Sequence, residues 1–325
     1  MSPKRALTGI KPTGTPHLGN LLGAIRPALE LSKQYDAYYF IADYHALTTV
    51  HNGDEMRKNV LSVAATFMAL GLDTNKATLF QQSAVPEVTE LSYILSCMTG
   101  LGHMERAHAY KASLARGTEI NVGTFTYPIL MAADILLYGS NFVPVGQDQK
   151  QHVEMAKDIA QMFNSRFGPV LTLPEASIQK DVSVVVGLDG QKMSKSYGNT
   201  IPLFLPTKQL KALVGLIKTD STPLDSPKDP DTCNVYALYR LFATPEEASD
   251  VASKYRAGGY GYGHAKAALL DALERELGPA RERYTHLMAH PEEVDAVLKV
   301  GAAKARVAAL TTLAVVRERC GFANP

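Results

Sequence analysis

The sequence predicts an α/β fold, with a parallel sheet covered on both faces by helices over residues 1–200 and an all-helical region over residues 201–325. Three observations predict it. Through the first part, short apolar runs alternate with longer amphipathic ones, the pattern of repeated strand–helix–strand units. After about residue 200, Pro202, Pro206, Pro223, Pro227 and Pro230 punctuate a loop-rich stretch. From Thr232 onward only helical periodicity remains. A length of 325 residues suits one large α/β domain or two domains of ordinary size, and a hydrophobic content of 46% supplies a sizeable core.

The elements follow in order. Arg5–Ile10 reads as a strand and Asn20–Tyr35 as a helix. Ala37–Ile41 (AYYFI) reads as a strand, Glu55–Leu70 as a helix and Thr78–Gln81 as a strand. Helices are expected at Val88–Cys97, His103–Arg116, Tyr127–Leu137 and Gln149–Phe163. Phe142–Val145 and Val182–Val186 are short β-branched runs bounded by turn residues, and so read as strands. In such a sheet, ligands sit at the carboxyl ends of the strands. The C-terminal helices are expected at Val235–Phe242, Pro245–Arg256, Ala265–Met288 and Pro291–Arg319. The cluster Gly258-Gly259-Tyr260-Gly261-Tyr262-Gly263 fits no GxGxxG spacing and follows no strand, so it reads as a helix-breaking connection.

Composition excludes several classes of function. No apolar run reaches the ~18 residues of a membrane span. The N-terminus lacks the long apolar core of a secretory signal, and a cytoplasmic location is expected. Cys97, Cys233 and Cys320 lie far apart, with neither a disulfide framework nor a metal-ligand spacing, and no metal site in the protein is expected. Residues 1–200 carry 17 basic and 17 acidic side chains, and residues 201–325 carry 16 and 15. Neither part is strongly basic, so charge alone announces no nucleic acid. An RNA site would have to be a local patch.

Two loops carry the chemistry. The first strand runs into Lys11-Pro12-Thr13-Gly14-Thr15-Pro16-His17-Leu18-Gly19-Asn20, and then a helix begins. Such a turn brings donors to a helix N-terminus, where phosphate is favoured. Gly19 lets a flat ring approach the backbone. The GxxxxGK[ST] spacing is absent. Taken alone, a histidine in a Gly/Pro loop reads as a turn residue. The second loop is Leu188-Asp189-Gly190-Gln191-Lys192-Met193-Ser194-Lys195-Ser196. Two lysines three apart, with hydroxyls between and beside them, can clamp a triphosphate. The same composition also suits a solvated basic loop.

Together the two loops resemble the class I aminoacyl-tRNA synthetases. His17-Leu18-Gly19-Asn20 matches the first motif of that class with Asn for the final His, as in its tryptophan and tyrosine branch. Lys192-Met193-Ser194-Lys195-Ser196 matches the second completely. Thr126–Tyr138, Phe142–His152 and Asn20–Arg26 are similar to bacterial tryptophanyl-tRNA synthetases, a resemblance that runs from about residue 5 to residue 320 and includes Gly259–Lys266.

The resemblance implies a Rossmann-type catalytic domain over residues 1–200 and a helical anticodon-binding domain over residues 201–325. It implies a tryptophan–tRNA ligase that uses ATP and Mg²⁺ and acts on tRNA(Trp) as a homodimer, with no DNA or membrane partner. His17, Lys192, Ser194 and Lys195 are then the catalytic set. Lys11, Thr13, Gly19, Asn20, Gly146, Gln147, Asp148, Val184 and Met193 bind ATP, with Gly146, Gln147 and Asp148 at the ribose. Leu7, His45, Met131, Val143 and Val145 wall the tryptophan site, and Tyr127 and Gln149 hold the α-amino group. Asp134 accepts the indole N–H. The physical logic agrees, because an acid amid Met131, Ile135 and Leu136 is costly without a donor, and indole is a donor only. Two positions depart from the pattern: Lys11 replaces a common Gln, and Leu7 an occasional Phe. A tyrosine-specific enzyme, a non-tRNA nucleotidyltransferase of the same fold and an inactive RNA-binding relative stay open as alternatives. Intact Lys192–Ser196 argues against the last.

Overall fold

A computed structural model describes residues 4–115, 117, 120–146, 149–178 and 185–323. Its strands are β1 (Arg5–Ile10), β2 (Asp36–Ile41), β3 (Thr78–Gln81), β4 (Phe142–Val145) and β5 (Glu175–Ile178). They form one sheet in the order β3-β2-β1-β4-β5, parallel at every pairing. The chain builds outward from β1 to β3 and then returns to lay β4 on the other side of β1. The switch point between β1 and β4 opens a crevice at the carboxyl ends of the strands.

β2 shows why the sheet is covered twice. Its side chains alternate, as the two-residue period of a strand requires. Ala37, Tyr39 and Ile41 enter one core with Leu21, Ile25 and Phe67, while Tyr38 and Phe40 enter the other with Phe80, Ile135 and Phe163. An apolar run throughout is what a strand buried on both faces needs.

β5 is not expected from the sequence, which places a strand at Val182–Val186 instead. Residues 182–184 lie outside the described residues, and Val186 makes only an isolated antiparallel bridge to Lys192. The edge beside β4 is taken by Glu175–Ile178, paired from Phe142↔Glu175 to Val145↔Ile178. Its sequence, EASI, opens on an exposed glutamate. A short polar edge strand carries little hydrophobic signal.

The expected helix Asn20–Tyr35 is also corrected. Leu18–Asn20 is α-helical, Leu21–Ile25 is a π-turn, and Arg26–Leu31 is α-helical again. Arg26 N–H reaches back five residues to the Leu21 carbonyl. Pro27 follows, with no N–H to continue an ordinary ladder, and the widened turn accommodates it. His103–Arg116 is likewise two helices, Leu101–Glu105 and His108–Ala115, while Arg116 lies outside the described residues.

Past residue 200 the described residues form no strand of the sheet. Helices run over Thr207–Gly215, Asn234–Tyr239, Pro245–Ala257, Tyr262–Ala289 and Pro291–Cys320. The first lies inside the loop-rich stretch, docked through buried Leu210 and Val214. Gly258 and Gly259 take positive φ between two helices, as a connection should. The last helix returns to the sheet and packs on β3. Gly301 faces the strand so closely that an added Cβ would stand 1.8 Å from the Leu79 carbonyl oxygen.

Candidate active site

The first loop is shaped by its own side chains. His17 caps the helix that starts at Leu18: its Nδ1 accepts the Gly19 N–H at 3.1 Å, and Asn20 Oδ1 accepts the His17 N–H at 3.1 Å. Gly19 is required because the imidazole folds over it, with His17 Cε1 2.9 Å from where a Cβ would stand. His17 is buried, and burial with the nearby Lys195 charge holds its pKa down at about 4. It is therefore neutral at pH 7. With Nδ1 accepting, the proton sits on Nε2, leaving a neutral N–H donor.

The second loop is brought against the first. Lys195 donates to the Thr13 carbonyl. Lys11, Thr13, Gly14, Pro16, Asn20 and Lys195 border one pocket beside the sheet. Burial pulls the pKa of both Lys11 and Lys195 below the ordinary lysine value. Ser194 Oγ bonds Ser196 Oγ at 2.7 Å. Met193 is buried in the core under Gly19, so it anchors the loop. Lys192 is exposed at the start of the loop and does not border this pocket.

A cavity of about 480 Å³ fills the β1/β4 crevice. Leu7, His45, Tyr127, Met131, Val143, Val145 and Gln149 all line it, together with Phe40, Thr48, Thr124 and Ile135. The helix Val122–Leu137 supplies four of these walls from successive turns (Thr124, Tyr127, Met131, Ile135) and starts on Asn121, whose Oδ1 accepts the Thr124 N–H at 2.8 Å. Pro128 inside that helix cannot donate to the Thr124 carbonyl one turn back. Tyr127 Oη and His152 Nε2 lie 2.5 Å apart, and His152 Nδ1 lies 2.8 Å from Gln149 Oε1. Buried His152 thus joins the two side chains expected at the α-amino group. Lys11 borders this cavity as well as the pocket between the two loops, and its Nζ donates to Thr48 Oγ1 at 3.0 Å.

Asp134 lies one layer behind the wall. It is fully buried, with its carboxylate held by Gln82 Nε2 at 2.9 Å from each oxygen and by His45 Nε2 at 2.9 Å. Burial raises its pKa, and these donors oppose the rise. Gln82, itself fully buried, takes its orientation from the Tyr44 N–H on its Oε1 at 3.1 Å. Sequence reasoning missed Gln82, His152, Thr48 and Asn199. Gly146 is exposed just past β4, and its carbonyl accepts the Gln149 N–H at 3.0 Å. Gln147, Asp148 and Val184, expected at ATP, lie outside the described residues.

A parallel sheet thus carries an apolar cavity at its switch point, and Lys11 joins that cavity to a small pocket between the two loops. The family described as tRNA synthetases class I (W and Y) matches residues 1–278, and the chain belongs to it. The chain is 47% identical to the tryptophan–tRNA ligase of Pseudomonas aeruginosa over 98% of its own length and 74% of that protein's. It is equally 47% identical to that of Rhodopirellula baltica, over 98% and 99% of the two chains. The crystal structure of tryptophanyl-tRNA synthetase from Campylobacter jejuni, complexed with ADP and tryptophan, superposes with a TM-score of 0.93 at 44% identity, covering 98% and 100%. Within the family, the chain is a tryptophan–tRNA ligase. Tyrosyl-tRNA synthetase from Archaeoglobus fulgidus shares the fold, with a TM-score of 0.64 at 20% identity over 86% and 90% of the two chains.

Proposed function

We propose that ligation runs in two steps across the two joined pockets. The carboxylate of L-tryptophan attacks the α-phosphorus of ATP, and pyrophosphate leaves. The ribose hydroxyl at the end of tRNA(Trp) then attacks the acyl carbon, AMP leaves, and the hydroxyl proton passes to solvent. No protein nucleophile is needed, because positioning and charge stabilisation supply the rate. The observation that carries the reading is Lys11, which borders both the apolar cavity and the phosphate-side pocket.

Each group has a part. The indole fills the cavity between Leu7, His45, Met131, Val143 and Val145. Its N–H is assigned to Asp134, which the indole reaches by taking the place of His45 on the carboxylate, since Asp134 is fully buried and His45 is the cavity-lining residue bonded to it. Tyr127 and Gln149 take the α-amino group. His17 donates Nε2–H to a phosphate oxygen, and Lys192, Ser194 and Lys195 spread the charge gathering on pyrophosphate. Thr13, Gly19 and Asn20 bind ATP on the first loop. Gly146, Gln147, Asp148, Val184 and Met193 are assigned to its nucleoside side. Mg²⁺ supplies charge neutralisation as a complex with the phosphates, because it keeps several waters and prefers phosphate oxygens. Among the described residues no group of three or more His, Cys, Asp or Glu is placed to hold a metal. The helices past residue 200 are assigned to the anticodon, the active form to a homodimer, and the location to the cytoplasm. No helix of the described residues is long and apolar enough to cross a membrane.

Pyrophosphate exchange into ATP, run with each of the twenty amino acids, tests the reading. Exchange supported by tryptophan alone is expected. Exchange driven by tyrosine, or independent of any amino acid, would overturn it.

A further inference from the structure

Asn199 sits just past the lysine loop and is 3% exposed. Its Oδ1 accepts the Ser194 N–H at 2.8 Å. Its Nδ2 donates to Asp189 Oδ1 at 2.7 Å and to the Lys192 carbonyl at 3.1 Å. A backbone N–H can only donate, and a carbonyl or carboxylate can only accept, so the amide has a single orientation. One side chain thereby spans the loop from Asp189 to Ser194, on either side of Lys192. The packing is equally specific. A Cβ on Gly187 would stand 2.4 Å from Asn199 Cγ and Nδ2, so Gly187 leaves the space that Asn199 fills.

The chain after Asn199 is tied to the other loop. The Ile201 carbonyl accepts the Leu18 N–H at 3.0 Å, and Leu203 N–H donates to the Pro16 carbonyl at 3.1 Å. His17 and Pro202 form an antiparallel bridge. Asn199 thus stands between two sets of contacts, one shaping residues 189–194 and one fixing residues 201–203 against residues 16–18. Lys195 crosses the same gap to Thr13.

We propose that Asn199 is a positioning residue for adenylate formation, setting the lysine loop in register with the His17 loop so that both face one triphosphate. The proposal rests on the assignment of Lys192 and Lys195 to the phosphates. Asn199 lines neither pocket and acts through the loop backbone.

The test uses the whole enzyme with three variants. Asn199→Asp keeps the shape and the acceptor for Ser194, but turns the donor into an oxygen facing Asp189 and the Lys192 carbonyl. Tryptophan-dependent activation should slow by about 10²-fold, the scale of an ångström-level misplacement. Tryptophan affinity should be unchanged. It can be read from ligand emission, because the chain contains no tryptophan. The double variant Asn199→Asp/Asp189→Asn restores a donor–acceptor pair of reversed polarity; it gives up the acceptor that Asp189 Oδ1 offers the Gln191 N–H at 3.0 Å and leaves the Lys192 carbonyl facing an oxygen, so it should recover only part of the rate. A merely structural role would weaken tryptophan binding in step with activation and show no such recovery. Lys195→Ala separates the two failures. If it activates at full rate, the phosphate assignment itself is wrong. If it is impaired while Asn199→Asp is not, or if the double variant is no better than the single, the positioning role is overturned.

Discussion

Lys11 and Asp134 are two charges that the fold treats in opposite ways. Lys11 is exposed at the seam of two pockets with its ammonium on Thr48, whereas Asp134 is sealed behind a wall with Gln82 and His45 on its oxygens. A cation about 4 Å from a carboxylate is worth ~1–4 kcal/mol before desolvation is subtracted, depending on how far the site closes. Lys11→Met should therefore raise the tryptophan KM by about tenfold, ~1.4 kcal/mol, with kcat little changed, and Lys11→Gln should recover part of the loss. Tryptamine, which lacks the carboxylate, should bind Lys11→Met as well as it binds the parent. A loss in kcat instead would move the ammonium to the α-phosphate. For Asp134 the readout is selection. Asp134→Ala should lower the ratio of kcat/KM for tryptophan over phenylalanine, because a site that hydrogen-bonds a substrate N–H can reject an analogue lacking it by ~10⁴ or more. An unchanged ratio would make the acid structural. Leu7, Val143 and Val145 were legible through the family resemblance, and the structure places all three on the cavity wall. Gln82 was not, since its partner Asp134 is 52 residues away and only folding joins them.

Among the elements, the two phosphate-side loops were visible as motifs, but their arrangement was not. The motif spacing offers Lys192 and Lys195 as equals. The structure places Lys195 across the gap on Thr13 and leaves Lys192 exposed at the loop's shoulder. Both ammonium groups are expected to act in the transition state, when charge moves onto pyrophosphate. Lys192→Ala or Lys195→Ala should each slow activation by about 10²–10³, as loss of one preorganised donor does. Tryptophan KM should hardly move, since neither lysine lines the apolar cavity. Single-turnover adenylate formation checks this: weaker tryptophan binding at an unchanged rate would contradict it. The elements that sequence reading misplaced share a cause. β5 is short and opens on the exposed Glu175, and the helix after His17 is split by a π-turn beside Pro27. Hydrophobic periodicity reports buried faces and is silent about edges and about which backbone groups a proline leaves unpaired.

On the scale of the whole molecule, the expected division near residue 200 says nothing of the last helix returning to the sheet. β3 is the outer strand of the order, and the helix Pro291–Cys320 packs on it with Ala302, Ala305, Ala309, Leu313 and Val316 buried. Two ion pairs fix its course over the helix Glu87–Ser96: Arg306 Nε to Glu87 at 2.6 Å and Arg317 to Glu90 at 2.6 and 3.0 Å. At Gly301 the helix approaches closely, with the β3 backbone where its side chain would be. The backbone of neither element can yield as the tip of a flexible side chain could. Gly301→Ala must therefore push the helix off the strand and loosen the alanine packing beside it. Overpacking of this kind costs ~1–3 kcal/mol, against a gain of ~1 kcal/mol at most from replacing glycine within a helix. The net expectation is a lower Tm and a lower urea midpoint. Gly263→Ala is the control, because a Cβ there meets nothing within 4 Å and Gly263 also lies in a helix. It should leave stability unchanged or raise it by up to ~1 kcal/mol, the helix-propensity gain alone. Equal midpoints for the two variants would mean that the C-terminal helix does not sit on β3 in solution. The C-terminal residues would then contribute nothing to the stability of the sheet that carries the site.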